Sequence, residues 1–275
     1  MNFLKVFILG IVEGMTEFLP VSSTGHLILF HQWFQLSPES FQNAFDVIIQ
    51  LGAILSVVVL YYRRLNPLSK YNENGAIKTK YERAMGWNLW VKVIVGVIPA
   101  GVLGFLFDDF IDEHLFSPYV VAVMLIFWGA IIIIMESKTK RKIKYETTKD
   151  IPLKTAFLIG LFQCLAMVPG TSRSAATIIG AIALGTGRVA AAEFSFYLAI
   201  PTMIGATLLK MVKNAGGFTL SQWFYIFLGG LISFITAILV IRKFMDYIKK
   251  HDFKAFGVYR IIIGFFVLVY FAIVK

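Results

Sequence analysis

Two glutamates four residues apart, four hydroxyls and a histidine fall within fourteen residues of an otherwise apolar stretch: Glu13-Gly-Met-Thr-Glu17-Phe-Leu-Pro20-Val-Ser22-Ser23-Thr24-Gly25-His26. An ionised side chain at the centre of a membrane helix costs about 2.5–3.5 kcal/mol on insertion scales, and function is its usual reason. A spacing of four stacks both carboxylates on one helix face. Two carboxylates so placed repel unless a proton or a cation lies between them. Hard oxygen ligands of this kind suit Mg²⁺ or Ca²⁺, which commonly sit between carboxylates and phosphate. His26 could act as general acid, general base or nucleophile toward phosphorus. The bland alternatives are a structural buried acid pair and a satisfied core histidine. Pro20 stops the helix and leaves Ser22-Ser23-Thr24-Gly25 as a hydroxyl-rich turn.

The same device recurs as Gly160-Leu-Phe-Gln163-Cys-Leu-Ala-Met-Val-Pro169-Gly170-Thr171-Ser172-Arg173-Ser174. Matching Gly10 with Gly160, Glu13 with Gln163 and Pro20 with Pro169 requires one residue to be slipped between the amide and the proline. The second copy lacks the carboxylates and carries Arg173 instead, a guanidinium able to grip two phosphate oxygens. Thr171, Ser172, Ser174 and the amides after Pro169-Gly170 resemble an anion cradle at a helix N-terminus. Carboxylates for a divalent ion, an arginine fork, hydroxyls and a histidine together suit a phosphate or diphosphate. Apolar surroundings make it a lipid phosphate. Asp46 and Gln50, four apart on the next span, are candidates for groups behind the site.

The elements that must hold these residues are membrane helices. The 275 residues are 58% hydrophobic and 15% charged, with mean hydropathy +0.75, far from the soluble norm. One cysteine, Cys164, excludes internal disulfides and a cysteine metal cage. Residues 1–30 do not read as a cleaved signal peptide. The net charge of +10 reads as basic loops on a cytoplasmic face, with no nucleic-acid partner.

Apolar stretches predict six spans, at about 45–62, 91–107, 118–135, 189–210, 222–241 and 256–274. Two further pairs of short arms, at 1–34 and 155–186, are too short to span and read as re-entrant hairpins. Loops 63–83, 138–154 and 242–254 hold six, seven and five Lys/Arg and are expected on the cytoplasmic side. The loop with Asp108, Asp109, Asp112 and Glu113, the base-free 35–44 and both termini are then expected outside. Lys210 and Lys213 fit this outer placement poorly. The expected fold is one all-α integral membrane domain over 1–275, six transmembrane helices plus two re-entrant helix hairpins. Its halves, about 1–140 and 150–275, form an inverted-topology repeat with the binding site at their junction. The segment from Tyr62 to Trp90 carries no legible chemistry.

Glu13-x-x-x-Glu17-Phe-Leu-Pro-Val-Ser-Ser-Thr-Gly-His26 and Pro169-Gly-Thr-Ser-Arg173-Ser resemble the two signature motifs of the bacterial undecaprenyl-diphosphate phosphatase family, the bacitracin-resistance type. The resemblance implies metal-dependent hydrolysis of undecaprenyl diphosphate to the monophosphate and inorganic phosphate, recycling the carrier lipid for cell-wall synthesis. It implies a bacterial inner membrane, a site on the periplasmic or outer side, and essential residues at Glu13, Glu17, Ser23, His26 and Arg173. Glu13 and Glu17 would hold Mg²⁺ or Ca²⁺, and Ser22, Thr24, Gly170, Thr171, Ser172 and Ser174 would contact substrate. A homodimer is compatible with this reading. The nucleophile stays open among Ser23, His26 and a water activated by Glu17. Ala175 stands where the second motif usually carries glycine, which predicts a strained turn if that position takes positive φ. The rival reading is a transporter that flips a lipid phosphate.

Overall fold

The computed structural model describes residues 2–115, 117–137, 142–213 and 217–274, with the side chains of Asn2, Asp108, Asp109, Phe110, Asp112, Glu113 and Lys213 left out. The acidic loop residues and Lys213 singled out above therefore lie outside the described side chains, as do Lys138, Lys140 and Arg141 of the second basic loop. The described backbone is helical: α1 (Asn2–Thr16), α2 (Ser23–Phe30), α3 (Glu39–Leu60), α4 (Tyr62–Leu65), α5 (Lys80–His114), α6 (Pro118–Ser137), α7 (Leu153–Cys164), α8 (Arg173–Ala183), α9 (Arg188–Lys213), α10 (Leu220–Ile248) and α11 (Lys254–Val274). Six of these, α3, α5, α6, α9, α10 and α11, are long and apolar enough to cross a membrane. They match the six predicted spans in order.

Their ends differ from expectation where polar caps extend a helix beyond its apolar run. Thr79 and Glu82 form a reciprocal capping box, so α5 begins at Lys80, eleven residues before the predicted start at 91. Thr219 and Gln222 do the same for α10. The segment before α5 is tied down as well. Arg64 pairs with Glu73 and Glu193, and Lys78 donates to the carbonyls of Arg63 and Asn66. Arg64 holds the Glu73 carboxyl below its ordinary range by hydrogen bonding, with help from the charges of Lys149 and Lys78.

Contacts sort the connections into two ends. At one, the three basic loops meet: Lys92 Nζ donates to Lys149 O at 2.7 Å, Lys149 acts on Glu73, and Leu65, Ile151, Ile248 and Phe253 share one apolar core. At the other, Lys5 Nζ donates to Gln35 O at 2.7 Å, Phe41 packs on Phe218, and Tyr119 Oη donates to Phe271 O. That grouping of loops agrees with the charge asymmetry read from the sequence.

Helix α1 packs on α10 and α7 on α5, α3 crosses α9, and α6 lies along α11. These crossings are close. A Cβ on Gly10 would lie 2.8 Å from Gly229 O, and one on Gly160 would lie 2.0 Å from Gly96 O. Helices α1, α2, α7 and α8, like the single turn α4, are below the length of about 20 residues that a crossing needs. Helices α1 and α2 join through residues 17–22, and α7 and α8 through 165–172. The first turn is buried but for the half-buried Leu19, and the second buries Pro169, Gly170 and Thr171 while Leu165 is exposed.

Candidate active site

Each turn is built around a serine in an unfavourable conformation. Ser22 (φ 72°) and Ser172 (φ 73°) are the two positive-φ residues other than glycine among those described, at a cost of about 1–3 kcal/mol each. Each caps the helix that follows. The Gly25 amide donates to Ser22 Oγ at 3.3 Å, and the Ala175 amide to Ser172 Oγ at 3.2 Å. The geometry pairs Ser22 with Ser172, an offset of 172 − 22 = 150, and the same offset pairs Gly10 with Gly160 and Glu13 with Gln163. No slipped residue is needed, and the two prolines are not equivalent. Ala175 lies inside the first turn of α8, so the strain expected there falls on Ser172 instead. Gly170 (φ 89°) does require glycine, since a Cβ would also lie 2.5 Å from Val121 O.

The two helix N-termini meet at Glu17. Ser23 Oγ donates to Glu17 Oε2 at 2.7 Å, and Arg173 Nη2 to Glu17 Oε1 at 3.1 Å. Ser23 and Arg173 are the first residues of α2 and α8 and share the 150 offset. Arg173 is fixed further by donation from Nη1 to Ser195 O at 2.9 Å. Ser174 Oγ donates to Leu19 O at 2.8 Å, stitching the second turn to the first. Two short helices with their amide ends and dipoles converging beside a guanidinium are suited to holding an anion.

Glu13 lies one turn behind Glu17, fully buried, and neither of its oxygens has a donor partner. Two adjacent carboxylates offer only acceptors to each other, so a proton or a cation must satisfy them. His26 is held at both nitrogens. Its Nδ1 donates to Ser22 O at 2.8 Å, which leaves Nε2 of the neutral ring to accept from Tyr259 Oη at 2.7 Å. Arg260, next along α11 and wholly buried, donates to Gly170 O (2.8 Å), Thr171 O (3.0 Å) and Pro20 O (3.2 Å), and at 3.4 Å to Leu125 O and Met124 O. One side chain therefore clasps both turns to α6.

A cavity of about 720 Å³ opens above Glu17. Of the residues read from the sequence, Glu17, Ser22, Ser23, Thr24, Gly170, Ser172 and Arg173 line it, and Gln50 joins them. Glu13, His26, Thr171 and Ser174 stand behind this lining. Asp46 pairs with His31 at 2.7 Å. The cavity runs along α5 and α9 to Phe105, Leu209 and Lys210, so the lysine that suited an outer loop poorly sits at its far end. Tyr259 and Arg260 were missed in the sequence. A lone arginine in a span is the same signal that drew attention to Glu13 and Glu17.

Comparison with known proteins shows the family. The family model described as bacitracin resistance protein BacA matches residues 6–266. Undecaprenyl-diphosphatase 1 of Clostridioides difficile is 52% identical over 268 residues, covering 97% of this chain and 95% of that protein. The undecaprenyl-diphosphatase of Fusobacterium nucleatum is 54% identical over 271 residues, covering 96% and 98%. That of Enterococcus faecalis is 47% identical over 272 residues, covering 98% and 97%. With six apolar helices in place, a multi-pass membrane chain built on these two turns belongs to the bacitracin resistance protein BacA family.

Proposed function

We propose that this protein is an undecaprenyl-diphosphate phosphatase, releasing inorganic phosphate from the lipid diphosphate and returning the lipid monophosphate to cell-wall synthesis. The observation that carries it is the convergence of Ser23 and Arg173 on Glu17 at the floor of the cavity. An anion site alone would bind a phosphate, but a hydroxyl donating to a buried carboxylate is arranged to give up its proton. The names of the relatives point the same way.

In the proposed reaction Ser23 Oγ attacks the terminal phosphorus and its proton passes to Glu17. The bond from that phosphorus to the bridging oxygen breaks, and the lipid monophosphate leaves. Water then cleaves the phosphoserine. Arg173 and the first amides of α2 and α8 stabilise the charge on the transferring group, the role that dominates phosphoryl transfer. His26 orients the first turn, because both its nitrogens are engaged away from the cavity lining.

Glu13 is the residue that fits a divalent ion best, with two buried oxygens lacking donors. Glu17 stands beside it, and no group of three or more His, Cys, Asp or Glu able to hold an ion occurs among the described residues. The rest of the coordination would come from diphosphate oxygens. Bound Mg²⁺ or Ca²⁺ would supply charge neutralisation to the diphosphate.

The helix pairs α1–α2 and α7–α8 are proposed to be re-entrant hairpins in two inverted halves. Support comes from their length, from the paired serine caps, and from the α1–α10 and α7–α5 packing. Gly129 and Gly257 add to it, each placing a Cβ within 2.8 Å of the other's carbonyl. The cavity is proposed to open to the periplasmic side of the inner membrane, since it runs away from the end where the basic loops gather.

The test is phosphate release from undecaprenyl diphosphate by purified protein with Mg²⁺, Ca²⁺ or EDTA, for wild type and Glu17→Ala. Metal-dependent release that Glu17→Ala loses is expected. No release by folded wild type would overturn the enzyme reading in favour of lipid transport. Rapid quenching should trap a phosphoserine absent in Ser23→Ala; its absence in wild type would assign the attack to water.

A further inference from the structure

Gln163 is a polar residue of the cavity, like Thr24, Gln50 and Thr202, that the reaction above leaves unused. It stands where the other turn has Glu13, is 2% exposed, lines the cavity, and has an amide oxygen without a partner. Its Nε2 donates to Thr202 Oγ1 over a long 3.3 Å, while Thr202 donates to Leu198 O at 2.8 Å. Gln163 Nε2 carries two N–H groups and the long bond to Thr202 uses one of them weakly, so the amide can donate to a ligand, whereas the Thr202 hydroxyl would have to turn from Leu198 O to do so. An amide here has a physical reason. A carboxylate at this place would repel an anion held by Arg173, whereas a neutral amide can donate to one.

The position of the pair along the cavity decides which phosphate it meets. Ser23, Glu17 and Arg173 form one end. From Thr202 the lining continues along α9 through Gly205, Ala206 and Leu209, and from Val97 along α5 through Gly101, Gly104 and Phe105. A Cβ on Gly101 or Gly205 would meet nothing within 4 Å, and both residues are exposed. The cavity is therefore open sideways between α5 and α9, toward the membrane. Its volume of about 720 Å³ is that of a drug-sized pocket, which spans about 300–1,000 Å³. A polyprenyl chain of eleven units cannot be enclosed, so its tail must leave by this opening.

We propose that Gln163 and Thr202 form a subsite for the phosphate that stays on the lipid, fixing the diphosphate with its terminal group at Ser23 and Arg173 and its tail leaving past Gly101 and Gly205. This rests on the phosphatase reading for its substrate. The subsite itself requires only that the protein bind a polyprenyl monophosphate.

The test compares two products as ligands. Gln163→Leu should raise KM and weaken inhibition by undecaprenyl monophosphate about tenfold, leaving kcat and inhibition by inorganic phosphate within about twofold. Gln163→Glu should be worse for the lipid product and equally neutral for inorganic phosphate. Gly205→Leu, which has room for its side chain, should weaken long-chain lipid phosphates more than a short water-soluble prenyl phosphate. Binding of undecaprenyl monophosphate to wild type and Gln163→Leu without turnover separates this inference from the enzyme reading. If wild type releases no phosphate but Gln163→Leu still loses lipid-phosphate binding, the subsite stands and the reaction falls. Equal weakening of both ligands, a fall in kcat alone, or unchanged lipid-phosphate binding would overturn the subsite.

Discussion

Arg260→Met isolates the clasp on the two turns. The substitution keeps an unbranched apolar stem but removes every donor, leaving Gly170 O, Thr171 O and Pro20 O without their bonds at 2.8, 3.0 and 3.2 Å. A buried carbonyl left unsatisfied costs about 1–3 kcal/mol. Three of them at the low end cost about 3 kcal/mol by that principle. Relief from burying a guanidinium, an effect of several kcal/mol per ion, offsets part of this. The net loss of stability should be about 1–2 kcal/mol. At about 2–4 °C per kcal/mol for a domain of 150–250 residues, the thermal midpoint falls by several degrees and the protein still folds.

Activity should suffer far more. The clasp holds the turn that carries Ser23 against the turn that carries Arg173, and a displacement of about 1 Å can cost about 100-fold in rate. The assay is phosphate release alongside thermal unfolding in detergent, well below the midpoint of the variant. Arg260→Lys should fall between, because an ammonium cannot fork across both turns. Wild-type kcat in Arg260→Met, or a loss no larger than its unfolded fraction, would refute the clasp.

Two further outcomes follow from hydrogen bonds, one in the site and one at the end where the basic loops gather. Tyr259→Phe removes the donor to His26 Nε2; at about 1 kcal/mol net per bond, kcat should fall about fivefold with little change in KM, and an unchanged kcat would detach Tyr259 from the site. Glu73 has its carboxyl held low by Arg64, so its contribution is present above the unfolded pKa and is lost as pH falls through the lower folded value. The thermal midpoint of wild type should therefore drop more steeply below about pH 4.5 than that of Glu73→Gln, and parallel curves would show the pair contributes nothing.

Residue type and spacing made the chemistry of the first turn legible, because acids and hydroxyls inside an apolar run are conspicuous. The second turn was legible through Arg173, but its register was misjudged. Proline is the visible punctuation, whereas the feature both turns share is a serine forced to positive φ, and nothing in the letters Ser22 or Ser172 announces that. Hydropathy located the six spans and could not see α5 beginning at Lys80, since a capping box works in polar sequence where hydropathy is silent. Arg260 was overlooked for a different reason. Its partners are backbone carbonyls from three places in the chain, so it has no companion acid nearby in sequence to suggest a role.

These same contacts bear on the choice between hydrolysis and transport. Rocking one half against the other would have to separate Glu17 from Arg173, Ser174 from Leu19 and Arg260 from Pro20, all of which join one half of the chain to the other. Breaking a buried ion pair alone costs about 3–5 kcal/mol. A diphosphate that takes Arg173 from Glu17 supplies part of that, but it offers nothing to the carbonyls of Pro20, Gly170 and Thr171, which need a donor. Hydrolysis asks only that the substrate enter between α5 and α9 and that one proton move over 2.7 Å from Ser23 to Glu17. Contacts that hold Glu17, Ser23 and Arg173 in fixed relation suit the preorganisation that phosphoryl transfer requires.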